Sequence, residues 1–140
     1  MRAFAVLLLL SACVTAIPAP RSPAERVAGC WIDRAGANTV TMRWLPEARP
    51  GVLAGNLLEY APDAAQNRTA RYTLEPREGH QVMCSHWQPE PICWKVAEGE
   101  EGSLEGGRVF IDASDEGLRI AVFSAGVEDV IFEGRRDGCD

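Results

Sequence analysis

The sequence predicts an all-β fold, most simply a closed antiparallel barrel of about eight or nine strands. Three observations lead to this prediction. Apolar and polar residues alternate in several short runs, clusters of Gly, Pro, Asp and Asn separate these runs, and no helical periodicity is long enough to connect parallel strands. A closed barrel removes the exposed edges of such a meander, and a β-sandwich is the alternative.

The predicted strands begin after residue 28, where the hydrophobic pattern takes a period of two. Because successive side chains of a strand point to opposite faces of a sheet, this alternation predicts strands with one buried face. The clearest apolar positions are Val40, Met42 and Trp44, then Tyr72 and Leu74, then Leu118, Ile120 and Val122. The predicted turns lie at 34–38, 46–51, 62–67, 76–79, 98–107, 114–117 and 124–126.

Residues 1–12 predict a signal peptide. One basic residue, Arg2, precedes an apolar run that ends at Ala12. At about 10 residues, this run is too short to cross a bilayer, which takes ~20. The small residues before Cys13 resemble the signal of bacterial lipoproteins, which implies that Cys13 becomes the acylated first residue of the mature chain. The same resemblance implies an outer-membrane anchor, because Val14 stands where an aspartate would favour retention.

The assignment of Cys13 as a lipid-attachment site has one alternative. It also determines the domain boundaries. Cleavage after Ala16 or Ala19 would discard Cys13 and leave a soluble periplasmic or secreted protein. With lipidation, residues 13–27 comprise the lipid-attachment cysteine and a flexible spacer rich in proline and alanine. Residues 28–140 then form the β-barrel domain on the periplasmic face of a bacterial cell envelope.

The charge of the chain excludes one class of partner. It carries 14 basic and 20 acidic residues, a formal net charge of −6, and only Arg135 and Arg136 are adjacent cations. Because binding to a phosphate backbone needs clustered Lys and Arg, nucleic acid is not an expected partner. Membrane contact is expected only through the lipid anchor.

Of the five cysteines, four follow Cys13. An even number in an oxidising compartment predicts two disulfides, for which three pairings exist. Cys84 and Cys93 bracket a proline-containing loop between two strand-like runs, which favours a bond between them at the base of a hairpin. Cys30 would then pair with Cys139, and the first and last strands would be neighbours.

The residues His80, Cys84, His86 and Cys93 form an alternative zinc set, since thiolates and imidazoles are zinc ligands. An oxidising compartment disfavours this set, and the position of His80 fits no standard zinc spacing. We therefore expect neither a bound metal nor another cofactor.

The tripeptide Gly29-Cys30-Trp31 at the start of the first strand is similar to the G-x-W signature of lipocalins and related barrels. A longer pattern is similar to small bacterial lipocalin-like families of unknown function; it comprises Ala28–Trp31, Arg43–Pro46 and Leu53–Gly55. The resemblance covers about the first third of the chain and implies that Gly29 and Trp31 close one end of a barrel. It also implies that an arginine at the end of the last strand, Arg135 or Arg136, packs over the tryptophan, and Arg135 is assigned to this role.

A barrel of about eight strands is either filled by its own side chains or holds one small ligand. The aromatic residues available to bind a ligand or a partner are Trp44, Tyr60, Tyr72, Trp87 and Trp94. The leading hypothesis is a lipid-anchored envelope protein that holds a small apolar or amphipathic ligand. The alternative is a filled barrel that binds or inhibits an envelope protein through the Cys84–Cys93 loop, with Trp87 as its anchor.

We expect no enzymatic activity, because the sequence lacks the motifs of α/β-hydrolase nucleophiles, zinc proteases and phosphate-binding loops. The carboxylates that could form a catalytic pair lie in or near predicted turns, as they would on a solvated acidic surface. They are Asp112, Asp115, Glu116, Glu128, Asp129 and Glu133.

Overall fold

The computed structural model describes residues 21–97 and 107–139. The predicted signal peptide and Cys13 lie outside these residues. The described chain forms helix α1 (Pro23–Val27) and strands β1 (Gly29–Asp33), β2 (Thr39–Pro46), β3 (Leu53–Tyr60), β4 (Arg68–Arg77), β5 (His80–Ser85), β6 (Ile92–Val96), β7 (Arg108–Ala113), β8 (Gly117–Ser124) and β9 (Val127–Asp137). One 3-10 turn, Ala64–Gln66, lies between β3 and β4. No helix in this part of the chain is long and apolar enough to cross a bilayer.

The nine strands form a closed barrel in chain order, which confirms the predicted all-β barrel. The barrel closes where β1 pairs with β9, with Cys30 opposite Asp137 and Trp31 opposite Arg136. Each strand also pairs with its neighbour in sequence.

One pair departs from the predicted antiparallel meander. Strands β6 and β7 are parallel, joined only at Lys95–Arg108 and Val96–Val109, whereas the other pairs are antiparallel. The physical reason is the strand count, because alternating directions cannot close a ring with an odd number of members. A parallel pair also needs a longer connection than a hairpin turn, and here the connection spans residues 97–107.

The barrel interior is filled by apolar side chains. Met42, Trp44, Leu74 and Met83 are fully buried and belong to one continuous hydrophobic cluster. Trp44 lies directly against the backbone of Gly55 on β3, where an added Cβ would come 2.7 Å from the indole ring. The Trp44 ring is thus tightly packed against the adjacent strand, in agreement with the dense packing of protein interiors.

Helix α1 covers the end of the barrel where β1 begins. Ser22 caps the helix, accepting a hydrogen bond from the Glu25 backbone N–H, while the Glu25 side chain accepts one from the Ser22 N–H. Val27 is fully buried in the core cluster, and Ala24 packs against it. The folded domain therefore extends beyond its predicted start at residue 28 and includes the last part of the predicted spacer.

Both predicted disulfides are present. Cys84 and Cys93 are opposite each other on β5 and β6, and their Cα atoms are 4.0 Å apart. Cys30 and Cys139 join β1 to the residues after β9, with Cα atoms 5.3 Å apart. The first and last strands are thus neighbours, as the pairing requires.

Candidate functional site

The end of the barrel beneath α1 is closed by Trp31 and Arg136. The Arg136 guanidinium lies 3.8 Å from the centroid of the Trp31 ring and donates a 2.8 Å hydrogen bond to the Ala28 carbonyl. The Trp31 indole donates a 2.9 Å hydrogen bond to the Val27 carbonyl. Gly29 lies beside this contact, because a Cβ there would come 2.5 Å from the guanidinium. These residues form a plug at this end of the barrel.

The assignment of Arg135 to this plug is wrong. Arg135 is opposite Ile32 in the β1–β9 pair and is exposed, whereas the next residue, Arg136, faces inward. Side chains of a strand alternate between faces, so Arg136 shares the inward face with Phe132 and Gly134. The sequence shows which residues of β9 face inward once the strand is known to extend to residue 137.

The predicted aromatic set divides between the inside and the outside of the barrel. Trp44 is fully buried, and its ring centroid lies 6.5 Å from that of half-buried Tyr72. Trp94 is half-buried, and its indole lies against Gly107. Tyr60 and Trp87, by contrast, are exposed on the surface of the barrel. The five residues therefore do not form a single site.

Tyr72 is in an unusual electrostatic environment. Burial raises the pKa of its phenol above the ordinary value, and the negative charge of Asp129 on β9 raises it further. The phenol therefore stays protonated and can donate a hydrogen bond at any pH at which the protein is expected to work.

The loop between the two cysteines of β5 and β6 is held firmly at its base. The His86 backbone N–H donates a 2.9 Å hydrogen bond to the Arg71 carbonyl, and His86 Nε2 lies 2.9 Å from the Thr73 hydroxyl. The Cys84–Cys93 bond closes the loop on its other side. The next residue, Trp87, is 77% exposed. The loop therefore presents an indole to solvent and does not fold it over the barrel end.

The alternative zinc ligands are engaged elsewhere. Cys84 and Cys93 share a disulfide, so neither sulfur is a thiolate. The His86 ring is bonded to Thr73, and His80 begins β5 at the far end of that strand. Among the described residues, no cluster of three or more His, Cys, Asp or Glu side chains has a metal-binding arrangement.

A groove lies on the outer wall of the barrel, over β2 and β3. Its volume is about 450 Å³, and its lining includes Thr41, Arg43, Asn56, Leu58, Tyr60 and Asp137. The side chains of Leu58 and Tyr60 are 38% and 48% exposed. The groove could not be predicted from the sequence, because it depends on the register between strands and on the position of Asp137 and Gly138 beside them.

Three of the six acidic residues considered for catalysis form salt bridges with arginines. Glu128 and Glu133 both form salt bridges with Arg119, and Asp115 forms one with Arg21. Such exposed ion pairs are typical of a solvated surface and contribute little to stability.

Comparison with known proteins found no matching family model, no matching curated protein and no matching solved structure. The resemblance of the Gly29–Trp31 segment to lipocalin-like families therefore remains an expectation from the sequence.

Proposed function

We propose that this chain is a non-catalytic interaction protein of the bacterial cell envelope, which binds a partner protein through Trp87 and the loop that carries it. The observation that carries this proposal is the 77% exposure of Trp87 on a loop closed by the Cys84–Cys93 disulfide. Exposed tryptophans are uncommon on surfaces that bind nothing and are enriched at the centres of protein interfaces.

The rigidity of the loop supports the same proposal. The disulfide and the two hydrogen bonds of His86 fix both ends of the loop before any partner arrives. A preorganised loop loses less conformational entropy on binding, so more of the indole contact energy appears as affinity.

The filled interior favours this function over the storage of a small ligand. A pocket for a drug-sized ligand has a volume of about 300 Å³ or more. The middle of the barrel holds the fully buried side chains of Met42, Trp44, Leu74 and Met83. A ligand of that size would have to displace these side chains, and the loss of core packing would lower the free energy of unfolding.

The proposed location rests on the N-terminal sequence. An apolar run followed by small residues and Cys13 is what an envelope lipoprotein would carry, with the outer membrane as the proposed anchor site. The two disulfides are consistent with an oxidising compartment. The folded barrel would then stand on the periplasmic face, with Trp87 available to other envelope proteins.

Site-directed photo-crosslinking in cells that make the protein tests this proposal. A photoreactive residue replaces Gln88, which adjoins Trp87 and leaves the indole in place. We expect one discrete adduct with an envelope protein, and we expect Trp87→Ala to abolish it. The matched control carries the photoreactive residue at Val127, which is 66% exposed in the β8–β9 hairpin. Equal labelling from both positions, or an adduct that persists in Trp87→Ala, would contradict the proposal.

Binding of a small ligand inside the barrel is a second candidate, favoured by one observation. The buried indole N–H of Trp44 has no hydrogen-bond partner among the described residues. A ligand oxygen accepting this bond would remove the cost of an unpaired buried donor, as would a water molecule. Native mass spectrometry of the protein isolated from its own cells distinguishes the two, since an organic mass that is lost on denaturation would support this candidate.

A further inference from the structure

We propose that the partner presents an acidic peptide segment, and that Arg43 and Arg71 on the outer wall of the barrel bind its carboxylates. This inference rests on the proposed function and names the chemistry of the partner. The surface that we assign to it, called here the outer face of β2–β4, comprises Arg43, Asn56, Arg71, Leu58, Tyr60 and Trp87.

The strand register places the two arginines in one row. Arg43 on β2 is opposite Asn56 on β3, and Asn56 is opposite Arg71 on β4. All three side chains are exposed and flanked by inward-facing residues, so they point away from the barrel interior. Two strand spacings separate the arginines by roughly 10 Å. Given the rise per residue of a strand, that distance is about the length of three residues in an extended peptide.

The Trp87 loop lies at the end of this row. His86 donates its backbone hydrogen bond to the Arg71 carbonyl, and its ring reaches Thr73, two residues further along the same outer face. Trp87 is the next residue in the chain and is 77% exposed, so the loop that carries it begins beside Arg71. We infer that a segment bound at Trp87 extends from there to the arginines.

The ion pairs of the arginines explain why we expect an acidic segment on this surface. Arg49, Arg77 and Arg119 each form salt bridges with glutamates of the same chain. Within the described residues, the guanidinium groups of Arg43 and Arg71 form no salt bridge with a carboxylate. Arg43 donates one hydrogen bond to the Cys139 carbonyl and keeps other N–H groups for a ligand.

On a chain with a net charge of −6, two neighbouring arginines without a salt bridge are a local feature that favours anions. Charge complementarity of this kind sets partner choice and association rate at interfaces. Arginine also binds carboxylates in a bidentate manner, which fixes their orientation.

The groove beside Arg43 favours a peptide as the carrier of the carboxylates. Its wall includes the half-exposed apolar side chains of Leu58 and Tyr60, which would contact an apolar side chain of the segment. Asp137 lines the other side of the groove and would repel an anion there. The carboxylates are therefore expected at the Arg43–Arg71 part of the surface, with apolar contact from Leu58 and Tyr60 in the adjoining groove.

Peptide selection with the intact, oxidised protein tests this inference. The probe is a phage-displayed library of random peptides of about twelve residues, and the selected peptides are then synthesised for affinity measurement. We expect enrichment of Asp and Glu, and at least about tenfold weaker binding after their replacement by Asn and Gln. The double variant Arg43→Glu/Arg71→Glu should weaken binding by a similar factor, and higher salt should also weaken it. Arg26→Glu, at an exposed arginine on α1, is the matched control and should bind like the parent protein.

The outcomes separate this inference from the proposed function. If Trp87→Ala abolishes the Gln88 cross-link while Arg43→Glu/Arg71→Glu leaves both the cross-link and peptide affinity unchanged, the acidic-segment inference is overturned and the proposed function stands. Selected peptides without acidic enrichment would overturn it as well. The same holds if galacturonate oligosaccharides or phosphatidylglycerol vesicles bind in an Arg43- and Arg71-dependent manner and acidic peptides do not.

Discussion

The guanidinium of Arg136 lies 3.8 Å from the centroid of the Trp31 ring, so the last strand of the barrel is packed onto the first at its closed end. The two residues are also opposite each other in the β1–β9 pair. A cation over an indole face is attracted by the ring quadrupole. The same guanidinium bonds to the Ala28 carbonyl, which ties the end of helix α1 to β9. The Arg136 side chain therefore contributes both to barrel closure and to the docking of helix α1.

Replacing Arg136 with alanine should destabilise the protein by about 2 kcal/mol, because the change removes the cation–π contact and leaves the Ala28 carbonyl without this donor. Urea unfolding followed by tryptophan fluorescence measures the effect. Arg135→Ala is the matched control, since that neighbour is exposed, and its effect should stay within about 0.5 kcal/mol. Equal effects of the two substitutions would show that Arg136 is not the closing residue.

Gly55→Ala should destabilise the barrel by about 1–3 kcal/mol, the usual cost of overpacking a core. The new methyl group would lie 2.7 Å from the fully buried ring of Trp44, so the ring or the strand would have to shift. The control is Gly36→Ala in an exposed loop, where the nearest atom would be 4.0 Å away. A Gly55→Ala variant as stable as the Gly36→Ala variant would mean that the barrel interior is not filled, and would favour the ligand-binding candidate.

The strand positions could be predicted from the sequence, because every second residue of a strand such as β2 must be apolar to fill the barrel. Met42 and Trp44 carry that signal, and both are fully buried. The parallel β6–β7 pair was not predicted, because the sequence pattern is compatible with either eight or nine strands. Only the odd number requires a parallel pair.

The site was less predictable than the fold, for a physical reason. The loop that carries Trp87 is held by the contact between His86, which follows β5, and Thr73 on β4, and no local sequence pattern reveals that contact. The row formed by Arg43, Asn56 and Arg71 likewise needs two successive registers. Local alternation tells which face a residue occupies, and it does not tell which residues of other strands lie beside it.

Loss of the Cys30–Cys139 disulfide should cost more stability than loss of the Cys84–Cys93 disulfide. The sequence separations are 109 and 9 residues, and a longer closed loop removes more entropy from the unfolded chain. In the chain-entropy model the costs are about 4–5 and about 3 kcal/mol. Paired serine substitutions and urea unfolding test the order. The reverse order would mean that strain or residual structure in the unfolded chain dominates over loop length.

The raised pKa of Tyr72 should make the protein less stable at alkaline pH. An unfolded tyrosine loses its proton near pH 10, whereas burial and then the charge of Asp129 hold the folded phenol in its neutral form to higher pH. The contribution of Tyr72 is therefore fully present below about pH 10, and it falls as the pH rises through the folded-state pKa.

Spectrophotometric titration checks the pKa itself. The chain has two tyrosines, so a Tyr60→Phe background leaves Tyr72 as the only phenol. In that background, Asp129→Asn should lower the pKa of Tyr72 without returning it to the ordinary value, because burial is the larger of the two causes. Tyr72→Phe should in turn flatten the loss of stability above about pH 10. An unchanged pKa of Tyr72 in Asp129→Asn would show that the Asp129 carboxylate does not act on the phenol.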